Sequence, residues 1–402
     1  MIAGPGGPTR VLHGLGRLSD LLTGRPGRRV GLLVDEGVAE SETVRRVRDR
    51  FERARSRIEL TVLAGPGDLG AVMESAHQLG GSEIVVGVGG GSLLDRVKLA
   101  TLVCSASDVA QRIAVPQRSG LVVLPPGRAR TVPLITVPTT VGTGAEVSAV
   151  ACLTSASGKR LVMGAGLRPE CALLDPVATR SLPSELVAEG VLEALFRVAS
   201  PYIGDDHDLP TEDALTETVA EQLVRLGNTV RDDRLAGRAI GDEVRLEAAK
   251  LSGHTHAEWL HLGRDAYAVK GWLIANELST AVGVRKMTAV AALLPHLWRS
   301  IAEGDARWGS APRLHRLWGR LRGIGSRPLP ADPALGMTAL LDSWRIERRI
   351  NLDAERLDAL ARHTVHAWGA GLPMLGRLTV DEVRGLLAKA SAHRPRPAHD
   401  RQ

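Results

Sequence analysis

A glycine-rich turn in the stretch EIVVGVGGGSLLDRVKLAT, residues 83–101, combines Gly89, Gly90 and Gly91 with Ser92. Glycines let the backbone approach a ligand without Cβ atoms in the way. The free N–H groups at the start of a helix favour phosphate. Taken alone, the turn is compatible both with a cradle for nucleotide phosphates and with an ordinary tight turn. Its spacing differs from the GxGxxG pattern of the common dinucleotide fingerprint.

Alternating strands and helices surround this turn and must position it. The periodicity predicts strands over 28–37, 57–65, 82–91 and 132–140, and helices over 41–54, 68–80 and 92–105. Such an order implies a mostly parallel sheet with helices on both faces. Residues 120–132 should contain a short connecting loop, and residues 204–213, GDDHDLPTED, read as an acidic surface loop.

From residue 185 to residue 393 the hydrophobic pattern is almost entirely helical. We therefore predict two domains. The first is a Rossmann-like α/β nucleotide-binding domain with a parallel sheet in residues 1–183. The second is an all-α domain in residues 184–402, which should carry substrate-binding and catalytic residues.

Composition excludes several classes of protein. The 402 residues carry a net charge of +6, but no concentrated Lys/Arg block, so nucleic-acid binding is not expected. No apolar run of membrane-spanning length and no secretory signal occur, and the three cysteines form no CxxC pair. We expect a cytoplasmic bacterial protein that does not bind membranes.

Two motifs carry a resemblance to a known family. GGGSLLDRVK resembles the GGGSxxDxAK signature of the iron-containing alcohol dehydrogenases, with Val97 in place of the usual Ala. PLITVPTTVGTGAEVSAV, residues 133–150, is similar to their PTTAGTGSEVT signature, with Ala145 in place of Ser. Weaker likeness covers nearly the whole chain. The resemblance implies a nucleotide-binding α/β domain, a helical domain and an active site in the cleft between them.

The resemblance also implies a site for NAD. The pyrophosphate would be held by Gly89, Gly90, Gly91 and Ser92. The adenine side would be flanked by Thr139 and Thr140, and the nicotinamide half would lie near Asp95, Lys98 and Gly144. Further matching residues assigned to the cofactor are Thr143 and Lys159.

Asp35, at the end of the first buried strand, would accept hydrogen bonds from the adenosine ribose. A carboxylate there repels a 2′-phosphate, so NAD is favoured over NADP. The alternative for Asp35 is a turn residue that only ends the strand.

The family's metal ligands have been replaced in this chain. The family binds a divalent metal through an Asp and a His four residues apart and two more His fourteen residues apart. The corresponding residues here are Glu193, Arg197, Trp272 and Lys286, and a further family His near the substrate corresponds to Asn276. Protonated Arg and Lys cannot ligate a metal, so we predict that no metal is bound.

The replacements suggest how catalysis could proceed without a metal. We expect Lys286 and Arg197 to stabilise negative charge at the substrate oxygen, which is the work that a metal does in the family. Glu193 and Asn276 complete the candidate catalytic set. Arg197 could also grip a substrate carboxylate in a bidentate manner. The alternative is an ordinary i,i+4 ion pair between Glu193 and Arg197, with Lys286 solvated.

The expected activity is NAD-dependent oxidation of a secondary alcohol. The chain resembles the dehydrogenases of daptide-type ribosomal peptide pathways, which oxidise a C-terminal Thr to a β-keto acid that loses CO₂. That resemblance implies a small-molecule or peptide substrate with a carboxylate. We also expect a homodimer or a complex with a pathway partner.

Two other readings remain open at this point. GHT, residues 253–255, resembles a ligand stretch of metal-dependent dehydroquinate-synthase-like cyclases, in which Glu193 would be a second ligand. Against that reading, Glu258 replaces the second His of the motif, and Phe196 stands where the catalytic Lys should be. If the segment is not a metal site, its histidines form only a polar helix end; they are His254, His256 and His261. The last reading is a non-catalytic partner that retains the cofactor fold.

Overall fold

The computed structural model of the chain describes residues 8–22, 27–65, 67–155 and 158–391. None of the described helices combines the length and the apolar character needed to cross a membrane. The chain forms two compact units. The first unit comprises Met1–Arg197 and Thr218–Leu260, and the second unit comprises Val198–Glu217 and His261–Gln402.

Nine strands in the described residues form two sheets. In chain order they are β1 (Arg10–His13), β2 (Arg29–Asp35), β3 (Arg57–Leu63), β4 (Ile84–Gly89), β5 (Leu121–Val123), β6 (Leu134–Pro138), β7 (Val150–Ser155), β8 (Gly158–Met163) and β9 (Cys171–Leu174). Six of them build a wholly parallel sheet in the order β1-β9-β6-β4-β2-β3. The second sheet has the order β5-β8-β7, in which only β7 and β8 are antiparallel.

The α-helices of the described residues follow the same chain order. They are α1 (Leu18–Leu22), α2 (Glu42–Arg53), α3 (Leu69–Gln78), α4 (Gly91–Ser105), α5 (Asp108–Ala114), α6 (Ser184–Gly204), α7 (Pro210–Leu235), α8 (Asp242–His254), α9 (Lys270–Val282), α10 (Lys286–Ala302), α11 (Ala311–Leu321), α12 (Pro333–Ser343), α13 (Ala354–Trp368) and α14 (Val380–Ser391). Short 3₁₀ turns connect several of them.

Both faces of the parallel sheet are covered, which explains why its central strands are continuous apolar runs. Every residue of β4 and β6 is buried. Side chains alternate between the faces: Val85 belongs to the same core cluster as Val97 of α4, and Val86 to the same cluster as Val47 of α2. The predicted layering of helices on both sides of the sheet is therefore confirmed.

The sequence predicted the elements around the glycine turn correctly. The four predicted strands correspond to β2, β3, β4 and β6, and the three predicted helices correspond to α2, α3 and α4. Ser41 caps α2 as expected, because its Oγ accepts the N–H of Val44 at 3.4 Å. The small sheet was not predicted. Its strand β5 lies inside the segment 120–132, where only a connecting loop was expected.

The change of element type agrees with the sequence pattern, but the compact units do not begin there. The last described strand ends at Leu174 and α6 begins at Ser184. The first unit nevertheless continues to Arg197 and also takes in Thr218–Leu260. The division into domains 1–183 and 184–402 stays a prediction.

The acidic segment 204–213 is not simply a surface loop. Asp213, in the first turn of α7, is buried and lies 2.9 Å from Nη1 of the buried Arg313. Arg313 in turn lies 4.2 Å above the ring of the buried Tyr202. Asp205 is also buried and accepts the backbone N–H groups of His207 and Asp265. The expectation was therefore wrong for Asp205 and Asp213, because charge alone does not reveal that buried arginines pair with Asp213 or that backbone N–H groups bind Asp205.

Candidate cofactor and substrate site

The glycine turn, Gly89–Gly91, joins β4 directly to α4. Gly89 ends the strand, and Gly90 is the N-cap of the helix with extended dihedral angles, φ −75° and ψ 177°. No side chain caps α4, and its first turn contains no acidic residue. Ser92 is exposed in that first turn. The unsatisfied N–H groups of an uncapped helix start are what an anion binds.

Glycine is required at the turn by packing as well as by any ligand. A Cβ on Gly89 would lie 2.3 Å from Cδ2 of Leu93. A Cβ on Gly90 would lie 3.1 Å from Cγ2 of Thr140, and one on Gly91 would lie 2.8 Å from Cγ2 of Thr143. The turn and the segment that carries the two threonines are therefore in close contact.

The turn lies at the topological switch point of the parallel sheet. The chain moves from β2 outward to β3 and then returns to the other side of β2 with β4. Ligands of open α/β sheets bind in the crevice at such a point, beyond the carboxyl ends of the strands. Asp35 is the last residue of β2. It lies beside the glycine turn, because its Cβ is 3.0 Å from the position that a Cβ on Gly89 would take. Thr139 follows β6 and donates its N–H to Gly89 O at 3.0 Å.

Asp35 has a local role of its own in the structure. Its Oδ1 accepts the N–H of Gly37 at 3.0 Å and caps a short 3₁₀ turn. Asp35 is therefore a turn residue that follows the strand, as the alternative proposed. Its side chain is also half-buried beside the crevice. Ribose binding by Asp35 stays a prediction.

Asp95 and Lys98 tie α4 to the loop of residues 139–150, which we call the threonine loop. The side chain of Lys98 is fully buried, and its Nζ donates to Ala145 O and to Ser148 Oγ, both at 3.0 Å. The same Nζ lies 2.9 Å from Asp95 Oδ1. Asp95 Oδ2 accepts the N–H of Cys152 at 2.9 Å. These contacts give both residues a positioning role, and direct contact with nicotinamide stays a prediction.

Two further elements fix the threonine loop at Gly142. Its N–H donates to Ser252 Oγ of α8 at 3.0 Å, and its carbonyl accepts Nη2 of Arg197 from α6 at 3.0 Å. Gly142 has φ +98°, a left-handed value that favours glycine.

His256 fixes the next turn of the loop. Its Nε2 lies 2.9 Å from Thr143 O. A Cβ on Gly144, which has φ +60°, would lie 2.0 Å from Cδ2 of His256. The sequence assigned no partner to this histidine, and the structure places its ring directly over the loop that carries Thr143.

Glu193 and Arg197 form the i,i+4 ion pair that the sequence offered as the alternative. Arg197 Nη2 lies 3.3 Å from Glu193 Oε1. Both side chains are largely buried, with 17% of Arg197 and 8% of Glu193 exposed, so the pair is not a solvated surface pair. Burial lowers the pKa of Arg197, and the negative charges of Glu193 and Glu146 oppose that shift.

Glu146 is a buried acid that sequence reasoning counted only as a motif match. It is 2% exposed, and its Oε2 has no hydrogen-bond partner among the described residues. Burial raises the pKa of Glu146 to about 7, although Lys98 and Arg197 act in the opposite direction. Nothing in the sequence pattern could have revealed this environment, because it depends on packing between distant segments.

The second unit contains Trp272, Asn276 and Lys286. Lys286 is the first residue of α10, and its Nζ lies 4.6 Å from the centroid of the Trp272 ring in α9. Asn276 is buried in α9, and its backbone carbonyl oxygen accepts a hydrogen bond from the Thr280 hydroxyl at 2.9 Å. Lys286 therefore contacts an aromatic ring while it remains partly exposed to solvent. Joint action of Lys286 and Arg197, which belong to different units, stays a prediction.

The remaining predicted residues are placed as follows. Lys159 is half-buried in β8 of the small sheet. His254 ends α8 in the first unit, whereas His261 belongs to the second unit. His254 and His256 thus belong to one unit and His261 to the other.

The side chains at the family's metal positions do not fit a metal ion. Glu193 offers one carboxylate, which is paired with Arg197, and Trp272 and Lys286 stack on each other. A tryptophan ring and two cations provide no ligand atoms. Among the described residues, His, Cys, Asp and Glu side chains converge only at Asp205, Asp206 and His207.

Part of the chain is similar in sequence to known dehydrogenases and reductases. Residues 8–176 match the model of the family described as iron-containing alcohol dehydrogenase. "Probable alcohol dehydrogenase EutG" of Escherichia coli is 36% identical over 124 residues, which cover 30% of this chain and 29% of that protein. Phosphonoacetaldehyde reductase of Streptomyces viridochromogenes is 31% identical over 201 residues, which cover 47% of this chain and 48% of that protein. The chain thus matches less than half of the length of each of these relatives.

The similarity of fold extends over the whole chain. The crystal structure of the NADH-dependent butanol dehydrogenase A of Thermotoga maritima superposes with a TM-score of 0.77 and 18% identity, covering 97% of this chain and 98% of that one. The predicted fold class, a Rossmann-like sheet followed by a helical region, is confirmed, and the fold is that of the iron-containing alcohol dehydrogenases.

Proposed function

We propose that the chain is an NAD-dependent dehydrogenase that oxidises the CH–OH group of an anionic substrate without a bound metal. The observation that carries the proposal is the uncapped start of α4, which stands at the switch point of the sheet between Asp35 and the threonine loop. The matches to dehydrogenases over residues 8–176 support the reaction class.

The residues at the switch point fit a dinucleotide. The pyrophosphate would lie against the glycine turn and Ser92, and the carboxylate of Asp35 would select NAD over NADP. When bound, NAD accepts a hydride from the carbon that bears the hydroxyl group. The threonine loop, fixed by Lys98, Ser252 and His256, keeps Thr143 against the turn.

The cations Arg197 and Lys286 would replace the electrostatic work of the metal. As the hydride leaves, negative charge grows on the hydroxyl oxygen, and a positioned cation stabilises that charge. Arg197 is suited to this task because Gly142 and Glu193 fix its guanidinium in a largely buried position. Lys286 is suited because Trp272 holds its ammonium group through a cation–π contact.

The same cations favour a substrate that carries its own negative charge. One relative is named phosphonoacetaldehyde reductase, and phosphonoacetaldehyde is an aldehyde that carries an anionic group. The finer form of the proposal is oxidation of a peptide C-terminal Thr. The alcohol and NAD⁺ yield the β-ketone, NADH and a proton, and the β-keto acid then loses CO₂ to leave an aminoketone.

The test uses purified protein, NAD and short peptides that end in Thr. We expect NADH absorbance to rise with a free C-terminal Thr and to stay flat with the C-terminal amide or with Val in place of Thr. Elemental analysis should find no stoichiometric Zn or Fe, and EDTA should leave the rate unchanged. One metal per chain with loss of activity on chelation would contradict the metal-free mechanism.

A panel of anionic alcohols separates the coarser proposal from the peptide substrate. Turnover of another anionic alcohol, without turnover of the peptides, would retain the dehydrogenase and reject Thr oxidation. NAD binding without turnover of any alcohol would favour a non-catalytic partner. A homodimer or a complex with a pathway partner also stays a proposal, which size-exclusion chromatography with light scattering tests.

A further inference from the structure

A cavity of about 540 Å³ lies within the first unit, and none of the residues predicted to bind NAD lines it. Its volume is within the range of roughly 300–1,000 Å³ that is usual for small-molecule sites. It is bordered by β1 and β9 on one side and by α8 with the residues that follow α8 on the other.

The polar lining of the cavity is mostly basic. The basic residues are Lys250, Arg168, His13, His254 and His256. The two permanent cations have acidic partners on the surface: Lys250 Nζ lies 2.7 Å from Glu247, and Arg168 Nη2 lies 2.6 Å from Glu258, which is 78% exposed. The carboxylates of both pairs are exposed, and ion pairs at the surface contribute little free energy, so a ligand anion can compete for these cations.

Glu146 is the buried polar group of the lining. One of its carboxyl oxygens, Oε2, has no hydrogen-bond partner among the described residues. The other, Oε1, lies 3.9 Å from the position that a Cβ on Gly253 would take. Burial raises the pKa of Glu146 to about 7, so near neutral pH the carboxyl group can donate a hydrogen bond to an acceptor.

The rest of the lining is apolar and partly exposed. Trp259 is 49% exposed and Val11 is 42% exposed, and Val147 and Leu174 continue this wall. An apolar wall beside basic side chains matches a ligand with an apolar body and one acidic group.

We propose that this cavity binds a small amphipathic carboxylate. Its apolar body would pack against Val11 and Trp259. Its carboxylate would be held by Lys250 and by the neutral, hydrogen-bond-donating form of Glu146. None of the residues assigned to NAD or to the alcohol lines this cavity, which adjoins their site because Glu146 and Val147 belong to the threonine loop.

The pH dependence of binding follows from the charges that face Glu146. Asp95 and Lys98 of α4, Arg197 of α6, and Lys250 with the histidines of the cavity all contribute to its surroundings. Ionised Glu146 would repel a carboxylate. Because Glu146 ionises as pH rises through about 7, affinity should fall between pH 6 and pH 8, with net proton uptake on binding.

Isothermal titration calorimetry with sodium benzoate tests the proposal directly, with benzamide as a probe of the same shape but without charge. At pH 6 we expect benzoate to bind at least about tenfold more tightly than benzamide, a difference of about 1.4 kcal/mol. Absence of saturable heat from millimolar benzoate, or equal affinity for the two probes, would overturn the proposal.

Variants locate the site. Lys250→Met should weaken benzoate binding about tenfold, the scale of one charge-assisted contact. The matched control, Lys389→Met in α14, removes the same charge and should bind as the wild type does. Ala257→Trp should fill the cavity and abolish binding. Wild-type affinity in both Lys250→Met and Ala257→Trp would reject this location.

Glu146→Gln isolates the contribution of the buried acid. The amide keeps a hydrogen-bond donor but does not ionise, so benzoate should still bind while the loss of affinity from pH 6 to pH 8 becomes smaller. An unchanged pH dependence would reject the role of Glu146. Because this variant could fail to fold, proton uptake by the wild type, measured in buffers of different ionisation enthalpy, provides an independent check.

Discussion

Lys286 and Trp272, two residues fourteen positions apart, form a cation–π contact in which the ammonium lies 4.6 Å from the ring centroid. The fourteen-residue spacing is the one at which the resembled family has two metal-binding histidines. In the proposed mechanism, the ammonium group of Lys286 would supply, as a fixed side chain, the positive charge that a metal ion supplies in the resembled family. A change in Lys286 is therefore the most direct test of metal-free catalysis.

Lys286→Met should lower the rate of alcohol oxidation by roughly 10²-fold, the scale of removing one group that stabilises developing charge. The effect should fall on kcat more than on KM, because the charge grows in the transition state. NAD affinity should hardly change, since the residues assigned to NAD belong to the first unit. Steady-state kinetics beside calorimetry provides the measurement.

Two comparisons accompany this experiment. Lys286→Arg keeps the cation and the aromatic contact and should retain more activity than Lys286→Met. Lys389→Met serves as the charge-matched control and should keep the wild-type rate. Equal rates for Lys286→Met and the wild type would mean that Lys286 takes no part in catalysis.

Asp35→Asn should relax the choice between the two dinucleotides. The amide oxygen can still accept the N–H of Gly37, so the local turn is kept. Removal of the charge should raise NADP affinity relative to NAD by about tenfold. Titrations with both cofactors measure the ratio, and tighter binding of NADP than NAD by the wild type would contradict the assigned role.

Gly90→Val should abolish NAD binding. The Cβ of the valine would lie only 3.1 Å from Cγ2 of Thr140. Its methyl groups would occupy space at the start of α4, where the phosphate is expected to bind. Gly385→Val is a suitable control, because Gly385 is exposed and a Cβ there meets nothing within 4 Å. Unchanged NAD affinity in the Gly90 variant would show that the turn is not a phosphate cradle.

Glu146 should make the folded chain less stable as pH rises. Its pKa in the folded state is about 7, above the ordinary value of 4.5, so the folded state binds more protons between these two values. The stability contribution is therefore complete below about pH 4.5 and is lost as pH rises through about 7, with a total of roughly 3 kcal/mol.

Glu146→Gln removes this titration. The melting temperature of the variant relative to the wild type should therefore be higher at pH 8 than at pH 5. The exposed replacement Glu243→Gln should show no such trend. Parallel pH profiles for Glu146→Gln and the wild type would indicate that the carboxyl group does not titrate in this range.

Asp213→Asn should destabilise the second unit strongly. The buried Arg313 would lose its charged partner, and breaking a buried pair in this way costs about 3–5 kcal/mol. Asp208→Asn is the control: Asp208 also contacts Arg313, but it is 76% exposed and should contribute less than about 1 kcal/mol. Denaturant unfolding followed by tryptophan fluorescence measures both, and equal effects would refute a special role for the buried pair.

The parallel sheet could be predicted from sequence because its signals are local. The apolar runs of β2, β4 and β6 and the serine cap of α2 each lie within a few residues of the element that they define. The glycine turn could be placed for the same reason, since it joins a strand to a helix without a break.

The surroundings of Glu146 and Lys98 could not be predicted in this way. Lys98 would normally be assigned to the surface, yet it is fully buried because oxygens of Ala145 and Ser148, about fifty positions away, accept hydrogen bonds from its ammonium group. Glu146 depends in the same manner on α8 and α6. Amino-acid type and spacing do not encode which distant segments meet.

The pairing of β1 with β9 has a consequence for synthesis of the chain on the ribosome. Arg10 of β1 aligns with Cys171 of β9, so the first strand of the sheet has its pairing partner only after more than 160 further residues have been made. At roughly 5–20 residues per second, that delay lasts on the order of ten seconds or more. During this interval the nascent strand lacks its partner in the sheet, and its short length of four residues limits pairing with other chains.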